Sequence, residues 1–271
     1  MRIVHVAPTP FGPAGLLGGG ERYPLELARA LAATGEVECE LLTFGPRAHR
    51  GRDPSGLRLR TLRTLVRLGG HPAHPLAPAL PAALRGADLV HTHHLRSAPS
   101  RLAALAARAR RQYTAVTDHG LQGGDWWGLL PRLFDRFLAV SAYSARELGT
   151  PPARTRVIYG GADPRRFAPD LDASRRGVLF VGRITPHKGV DRLVEALPPG
   201  ARLTIAGSSG HDAAPPERDY PLLLRRLARD RDVEFLGPVP DEHLPDLYRG
   251  AAVLALPSVH RTCYGREIRV S

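Results

Sequence analysis

Residues 178–189 read Val-Leu-Phe-Val-Gly-Arg-Ile-Thr-Pro-His-Lys-Gly, and from Val190 onward the apolar residues Val190, Leu193, Val194 and Leu197 recur at helical spacing. An apolar, β-prone run that breaks at Gly182 and turns into a helix is the building unit of a parallel sheet wrapped by helices. The start of such a helix offers free N–H groups and a positive dipole, and Arg183 and Lys188 add two formal charges beside it. The corner therefore suits a diphosphate. Lys188 is also the only lysine among 38 Lys and Arg residues, so a compact ammonium stands here in a chain whose other basic positions are all guanidinium.

The same unit repeats on both sides of this stretch. Upstream, residues 3–7 are a short strand, 8–20 a loop rich in Pro and Gly, and Tyr23, Leu27, Ala30 and Leu31 fall on one face of a helix. Strands are expected at 38–44, 88–92, 113–117, 137–140 and 156–159, with a helical stripe at Leu102, Leu105, Ala106 and Ala109. Residues 58–84 are rich in Leu, Arg and Pro, and yield only a strand at the start and a helix at the end. Residues 164–176 are polar, carry two prolines and lack either period, which is the character of an interdomain linker. Beyond them strands are expected at 178–181, 203–206, 233–236 and 253–256, with a helix carrying Leu244, Leu247, Tyr248 and Ala251. The expected fold class is α/β with two Rossmann-like lobes: residues 1–163, a linker at 164–176, and a second lobe at 177–271.

At 271 residues the chain can bury two cores. Its formal charge of +12 raises the question of a polyanion partner, but the excess is arginine in a chain also rich in Ala, Leu, Pro and Gly. No basic stripe interleaves with aromatics, so nucleic acid is not an expected partner. Cys39 and Cys263 match neither a metal spacing nor a disulfide framework, which is the usage of a reducing compartment such as the cytoplasm. The first apolar run stops at Pro8, too short for a signal-peptide core, and no stretch reaches transmembrane length. Peripheral membrane contact through arginine clusters stays open.

From Val178 through Arg183 and Lys188-Gly189 to Leu193, the chain resembles the second-lobe signature of glycosyltransferase family 4. Other segments are similar to the family in order and spacing: Gly18-Gly19-Gly20-Glu21-Arg22, Asp88-Leu-Val-His91-Thr-His93, Thr117-Asp118-His119-Gly120, Ala139-Val-Ser141, Val157 to Asp163 and Ala251 to Ser258. Together they span nearly the whole chain, which is far more specific than any lone glycine loop. The resemblance implies the GT-B arrangement of two Rossmann-like lobes and transfer of a sugar from a nucleoside diphosphate sugar to an acceptor hydroxyl, with retention. It implies a donor diphosphate held by Arg183 and Lys188, a glycine loop at Gly18, Gly19 and Gly20 near donor phosphate and acceptor, and a catalytic His119 against the transferred sugar. Leu236, Gly237 and Val239 become the nucleobase region, although a plain strand-to-turn reading of the same residues stays open, as it does for the glycine loop. The acceptor (a sugar, a lipid-linked or a small molecule) is left unnamed.

The charge pair leaves no need for a metal or other cofactor. His91, His93 and His94 do not read as a metal site, since His93 and His94 are adjacent and expected on opposite sides of a strand, with no carboxylate nearby. Asp170 with Asp172 and Asp230 with Asp232 match a paired-aspartate pattern but are expected in solvated turns. The family's paired glutamates would follow Ser271, and Glu267 precedes their place, so the second lobe is expected to be incomplete. The alternative to an enzyme is then an inactive truncated fragment of this fold, acting at most as a binding module.

Overall fold

The computed structural model describes residues 1–12, 18–119, 130–148, 150–209 and 217–267. Gly120, the last residue of the Thr117–Gly120 motif, lies outside them. The chain divides into two compact units, residues 1–160 and 161–270.

The first unit runs β1 (Arg2–Val6), α1 (Gly19–Ala33), β2 (Glu38–Gly45), β3 (His49–Arg52), β4 (Arg58–Arg63), β5 (Val66–Arg67), β6 (Pro75–Leu76), α2 (Leu80–Ala83), β7 (Leu89–His93), α3 (Ala98–Ala109), β8 (Tyr113–Asp118), β9 (Arg136–Ala139), α4 (Ala142–Leu148) and β10 (Thr155–Val157). Eight strands form one sheet in the order β10-β9-β8-β7-β1-β2-β4-β3. All its pairs are parallel except β3 with β4. The antiparallel edge was not legible: β3 reads His-Arg-Gly-Arg and every residue is exposed, so it has no apolar alternation to betray it.

Parallel strands are covered on both faces, and β1 divides its residues accordingly. Val4 and Val6 pack with Leu42, Leu80, Leu84, Val90, Ala103 and Ala107, while Ile3 and Ala7 pack with Ala28, Cys39, Leu41 and Leu57. His5 shares the second face by strand alternation.

Two helical stripes fall differently from expectation. In α3 the buried face is Ala98, Ala103, Ala104 and Ala107, whereas Leu102 and Leu105 are 41% and 47% exposed. Small side chains let the helix backbone lie close on the sheet, so volume, not hydrophobicity, selects the face. In α1 the buried residues are Pro24 and Ala28, with Leu31 packed beside them, and Ala30 is exposed. Pro24 sits in the second turn of α1, where its apolar ring joins the buried side.

The second unit runs β11 (Arg176–Val181), α5 (Val190–Glu195), β12 (Leu203–Ala206), α6 (Tyr220–Leu227), β13 (Val233–Gly237), α7 (Leu244–Gly250) and β14 (Ala251–Leu254). Its four strands are parallel in the order β13-β12-β11-β14, matching the four expected from sequence. Val190, Val194 and Leu197 of the predicted stripe are buried with Phe180, Leu203, Ile205, Tyr220 and Leu224. Part of the segment read as a linker is docked on this unit: Arg166 pairs with Asp241 at 2.7 Å, Phe167 meets Tyr248 edge-on at 5.8 Å, and Arg249 Nε donates to the Ala168 carbonyl at 3.0 Å. Asp170, Asp172, Asp230 and Asp232 are exposed, as solvated turns require. Cys39 and Cys263 are both free thiols. Among the described residues no helix is long and apolar enough to cross a membrane.

Candidate functional site

In the second unit the backbone continues to knit together just past the strands. Gly182 N–H donates to the Ala206 carbonyl at 3.0 Å, Gly207 N–H to Gly237 at 2.8 Å, and Ile184 N–H to Ser208 at 2.9 Å. A Cβ on Gly207 would run into the Gly182 carbonyl oxygen, so the close approach of these two strand ends requires glycine there. The chain then makes a tight turn, with Lys188 N–H bonded to the Thr185 carbonyl at 2.9 Å. Gly189 closes it at φ 66°, backed against the Pro257 carbonyl that any side chain would strike. Val259 N–H bonds the His187 carbonyl at 2.9 Å and pins the turn from behind.

This turn carries the charge. Lys188 is half-buried and its ammonium is held below the usual lysine value, first by burial and then by the Arg183 guanidinium. Burial, then Lys188 and Arg183, lower His187 as well, with the Glu217 carboxylate opposing them. The Arg183 guanidinium is thus felt at the Lys188 ammonium, and neither cation makes an ion pair among the described residues. The nearby Arg266 is already paired with Glu217 at 3.1 Å. Two like charges held together without a counterion repel unless an anion joins them. The helix that follows has six residues, so most of the positive potential comes from side chains and not from backbone dipoles.

Beside the turn lies a concavity of about 330 Å³ at the carboxyl edge of the sheet, the usual ligand side of open α/β sheets. Leu236 and Gly237 line it together with Ile184, the neighbour of Arg183; Val239 does not. A larger hollow of about 420 Å³ in the first unit is walled by Arg2, Glu38, Glu40 and Arg58, whose charges already pair with one another.

In the first unit the glycine loop and His119 come together. Gly18 precedes α1, and Gly19 and Gly20 are its first residues. A Cβ on Gly20 would lie 3.0 Å from His94 Cε1 and 3.5 Å from His119 Cβ. The Tyr23 ring stands 4.9 Å from that of His119, and His94 5.0 Å. Behind His119, His93 Nδ1 lies 3.3 Å from His119 Nε2, and His93 Nε2 lies 3.3 Å from His5 Nδ1. His91 Nε2 contacts Thr117 Oγ1 at 2.8 Å. Burial holds His119 down at about 3, with His94 and His91 adding to it, and holds His5 at about 4. His91 and His93 are lowered well below 6.5, mainly by burial. All are neutral at pH 7.

The expected geometry of the histidines needs correcting. His94 does not occupy the opposite face of a strand; it leaves β7 at φ 65° and turns its ring toward His119. His5 takes its place beside His91 and His93, with nitrogens of all three within 4.8 Å of one another. That trio could offer three neutral imidazoles to a metal, a combination the sequence reading passed over. The signal was a histidine inside the apolar run Ile3-Val4-His5-Val6, in direct register with His91.

Residues 17–166 match the family described as Glycosyltransferase Family 4, and residues 175–268 match Glycosyl transferases group 1. The chain belongs to glycosyltransferase family 4. A D-inositol 3-phosphate glycosyltransferase from Acidothermus cellulolyticus is 29% identical along 98% of this chain and 70% of its own length. One of the same description from Streptomyces bingchenggensis is 30% identical along 97% of this chain and 69% of its own. This family 4 chain therefore spans about 70% of the length of those relatives. Among solved structures, Anabaena HepE in complex with UDP and glucose is similar at a TM-score of 0.69 and 18% identity, over 97% of this chain and 75% of HepE. Sucrose-phosphate synthase from Thermosynechococcus elongatus gives 0.67 and 21%, over 95% of this chain and 75% of the synthase. At those identities the likeness establishes the fold, and the fold is that of GT-B glycosyltransferases.

Proposed function

We propose that this glycosyltransferase moves a sugar from a nucleoside diphosphate sugar to an acceptor hydroxyl with retention of anomeric configuration. Residues 177–271 take the donor, residues 1–163 the acceptor, and 164–176 connect them. The observation that carries this reading is the pairing of Arg183 with Lys188, two neighbouring cations without an acidic partner among the described residues, beside a concavity lined by Leu236 and Gly237. A diphosphate supplies the missing negative charge and a nucleobase fits the adjoining hollow. That HepE structures hold UDP or UDP-glucose supports the same class of donor.

As the glycosyl–phosphate bond lengthens, positive charge gathers at the anomeric carbon and negative charge on the departing diphosphate. Arg183 and Lys188 stabilise the latter, which is the charge that grows in the transition state. His119, neutral at pH 7, contacts the transferred sugar as a hydrogen-bonding group and not as a cation.

Titration calorimetry with UDP, GDP and ADP tests the donor site directly. The best of the three binds the wild type, and Lys188→Ala and Arg183→Ala each weaken it about tenfold or more, the worth of a charge-assisted contact. Unchanged affinity in folded variants removes the proposed site.

A further inference from the structure

Three histidines stand in single file across the first unit: His5 on β1, His93 on β7 and His119 just past β8. The bonds are His5 Nδ1 to His93 Nε2 and His93 Nδ1 to His119 Nε2, each 3.3 Å. His5 and His93 are 0% exposed. At the inner end, His5 Nε2 is buried without a hydrogen-bond partner among the described residues.

We infer that His5 and His93 act as positioning residues that fix the tautomer of His119, so that its proton resides on Nδ1. Each neutral imidazole carries one N–H and one lone pair, so the file can be written in two directions only. In one, His119 Nε2 donates to His93, His93 Nε2 donates to His5, and the last proton lands on His5 Nε2. That leaves a buried N–H with nothing to accept it, a rare and costly condition. In the other, His5 Nδ1 donates to His93 Nε2, His93 Nδ1 donates to His119 Nε2, and the proton of His119 sits on Nδ1. The inner end then carries only an unused lone pair, which costs less. The orphaned nitrogen at one end thereby sets the proton at the other, as second partners of functional histidines do elsewhere.

The reach of this arrangement is chemical. His119 Nδ1 holds no hydrogen bond among the described residues, so it is the ring atom left for a ligand, and it donates. Resting on the reading of His119 as the group against the sugar, the site prefers an oxygen acceptor there, a sugar hydroxyl or carboxylate, over a group that can only donate. The competing use of the cluster is a metal on His5, His91 and His93. It fits less well, since both nitrogens of His93 and Nε2 of His91 already have partners.

Nitrogen-15 NMR of histidine-labelled full-length chain at pH 7.5, with His119→Asn for assignment, reads the tautomer without any substrate. The expected result is a protonated Nδ1 and a bare Nε2 at His119. A His119 protonated on Nε2, or averaging between the two forms, overturns the inference, and so does zinc or another transition metal found at one per chain after purification in metal-replete buffer. Removing the relay donor in His93→Leu is expected to give tautomer averaging at His119 and to lower kcat about tenfold or more with KM for the donor nearly unchanged. In His93→Asn a side-chain N–H can replace the donor, and both are expected to recover. Should His93→Leu fail to fold, His5→Phe breaks the file one step further back and is expected to release the same averaging; a His119 still locked on Nδ1 there overturns the inference. A locked His119 in a chain that transfers no sugar would sink the catalytic reading alone.

Discussion

The Tyr220 hydroxyl donates to Asp191 Oδ1 at 2.6 Å and accepts from the Asp191 backbone N–H at 3.0 Å, so one phenol satisfies two groups at the start of α5. Tyr220 is 0% exposed and Asp191 4%. Burial and the bond to Asp191 push the phenol far above its ordinary range. Tyr220→Phe keeps the ring in the core and leaves a buried carboxylate without that donor. The expected cost is about 2 kcal/mol of stability in the second unit, since hydrogen bonds to charged groups are worth about 1.5–3 kcal/mol. Urea unfolding of both proteins measures it. Because α5 follows the turn that holds Lys188, a weakened nucleotide affinity is expected alongside.

Gly20 makes an opposite kind of prediction. It lies in the first turn of α1, where alanine is a better helix former by up to about 1 kcal/mol, so Gly20→Ala is expected to leave stability unchanged or slightly raised. The new methyl would press on His94 at 3.0 Å and reach His119 at 3.5 Å. Transfer activity is expected to fall severalfold in a fully folded protein. Equal activity would mean that the close approach of α1 to the histidines is incidental.

Acid should loosen the first unit before the carboxylates titrate. His5 is held at about 4 and His119 at about 3, against 6.5 for an ordinary histidine. Below pH 6.5 the unfolded chain therefore binds protons that the folded chain refuses, so stability rises with pH across this window. The contribution is complete above pH 6.5 and is lost as pH falls toward 4. Urea midpoints at pH 7.5, 6.5, 5.5 and 5.0 are expected to decline steadily. A flat series would mean that the histidines ionise without opening the fold.

Much of this architecture was legible because parallel strands are buried on both faces and announce themselves as apolar runs. Residues 178–181, 203–206 and 233–236 each coincide with a strand of the second unit to within a residue or two. The helices were harder, since α3 buries alanines and exposes leucines, and a period alone does not tell which phase faces the sheet. The edge strand β3 was hidden because an exposed strand needs no apolar residue at all. At the candidate site, Gly20 and His119, far apart in sequence, were both singled out, and a Cβ on Gly20 would lie 3.5 Å from His119 Cβ. Arg183 and Lys188 were likewise read from one stretch, and the Arg183 guanidinium helps to lower the Lys188 ammonium. His5 escaped notice because its meaning depends on a partner 88 positions away, and strand register, which pairs it with His91, is not written in any local pattern.

The solitary ammonium at position 188 makes the chain unusually easy to interrogate by covalent chemistry. With one ε-amine in 271 residues, an amine-selective acylating reagent has only that group and the α-amine to modify, and mass spectrometry can count both. Its lowered basicity leaves more of it in the nucleophilic free-base form than an ordinary surface lysine at the same pH. Slower acylation in the presence of a nucleotide would report occupancy without a radiolabel, an assay or a known acceptor.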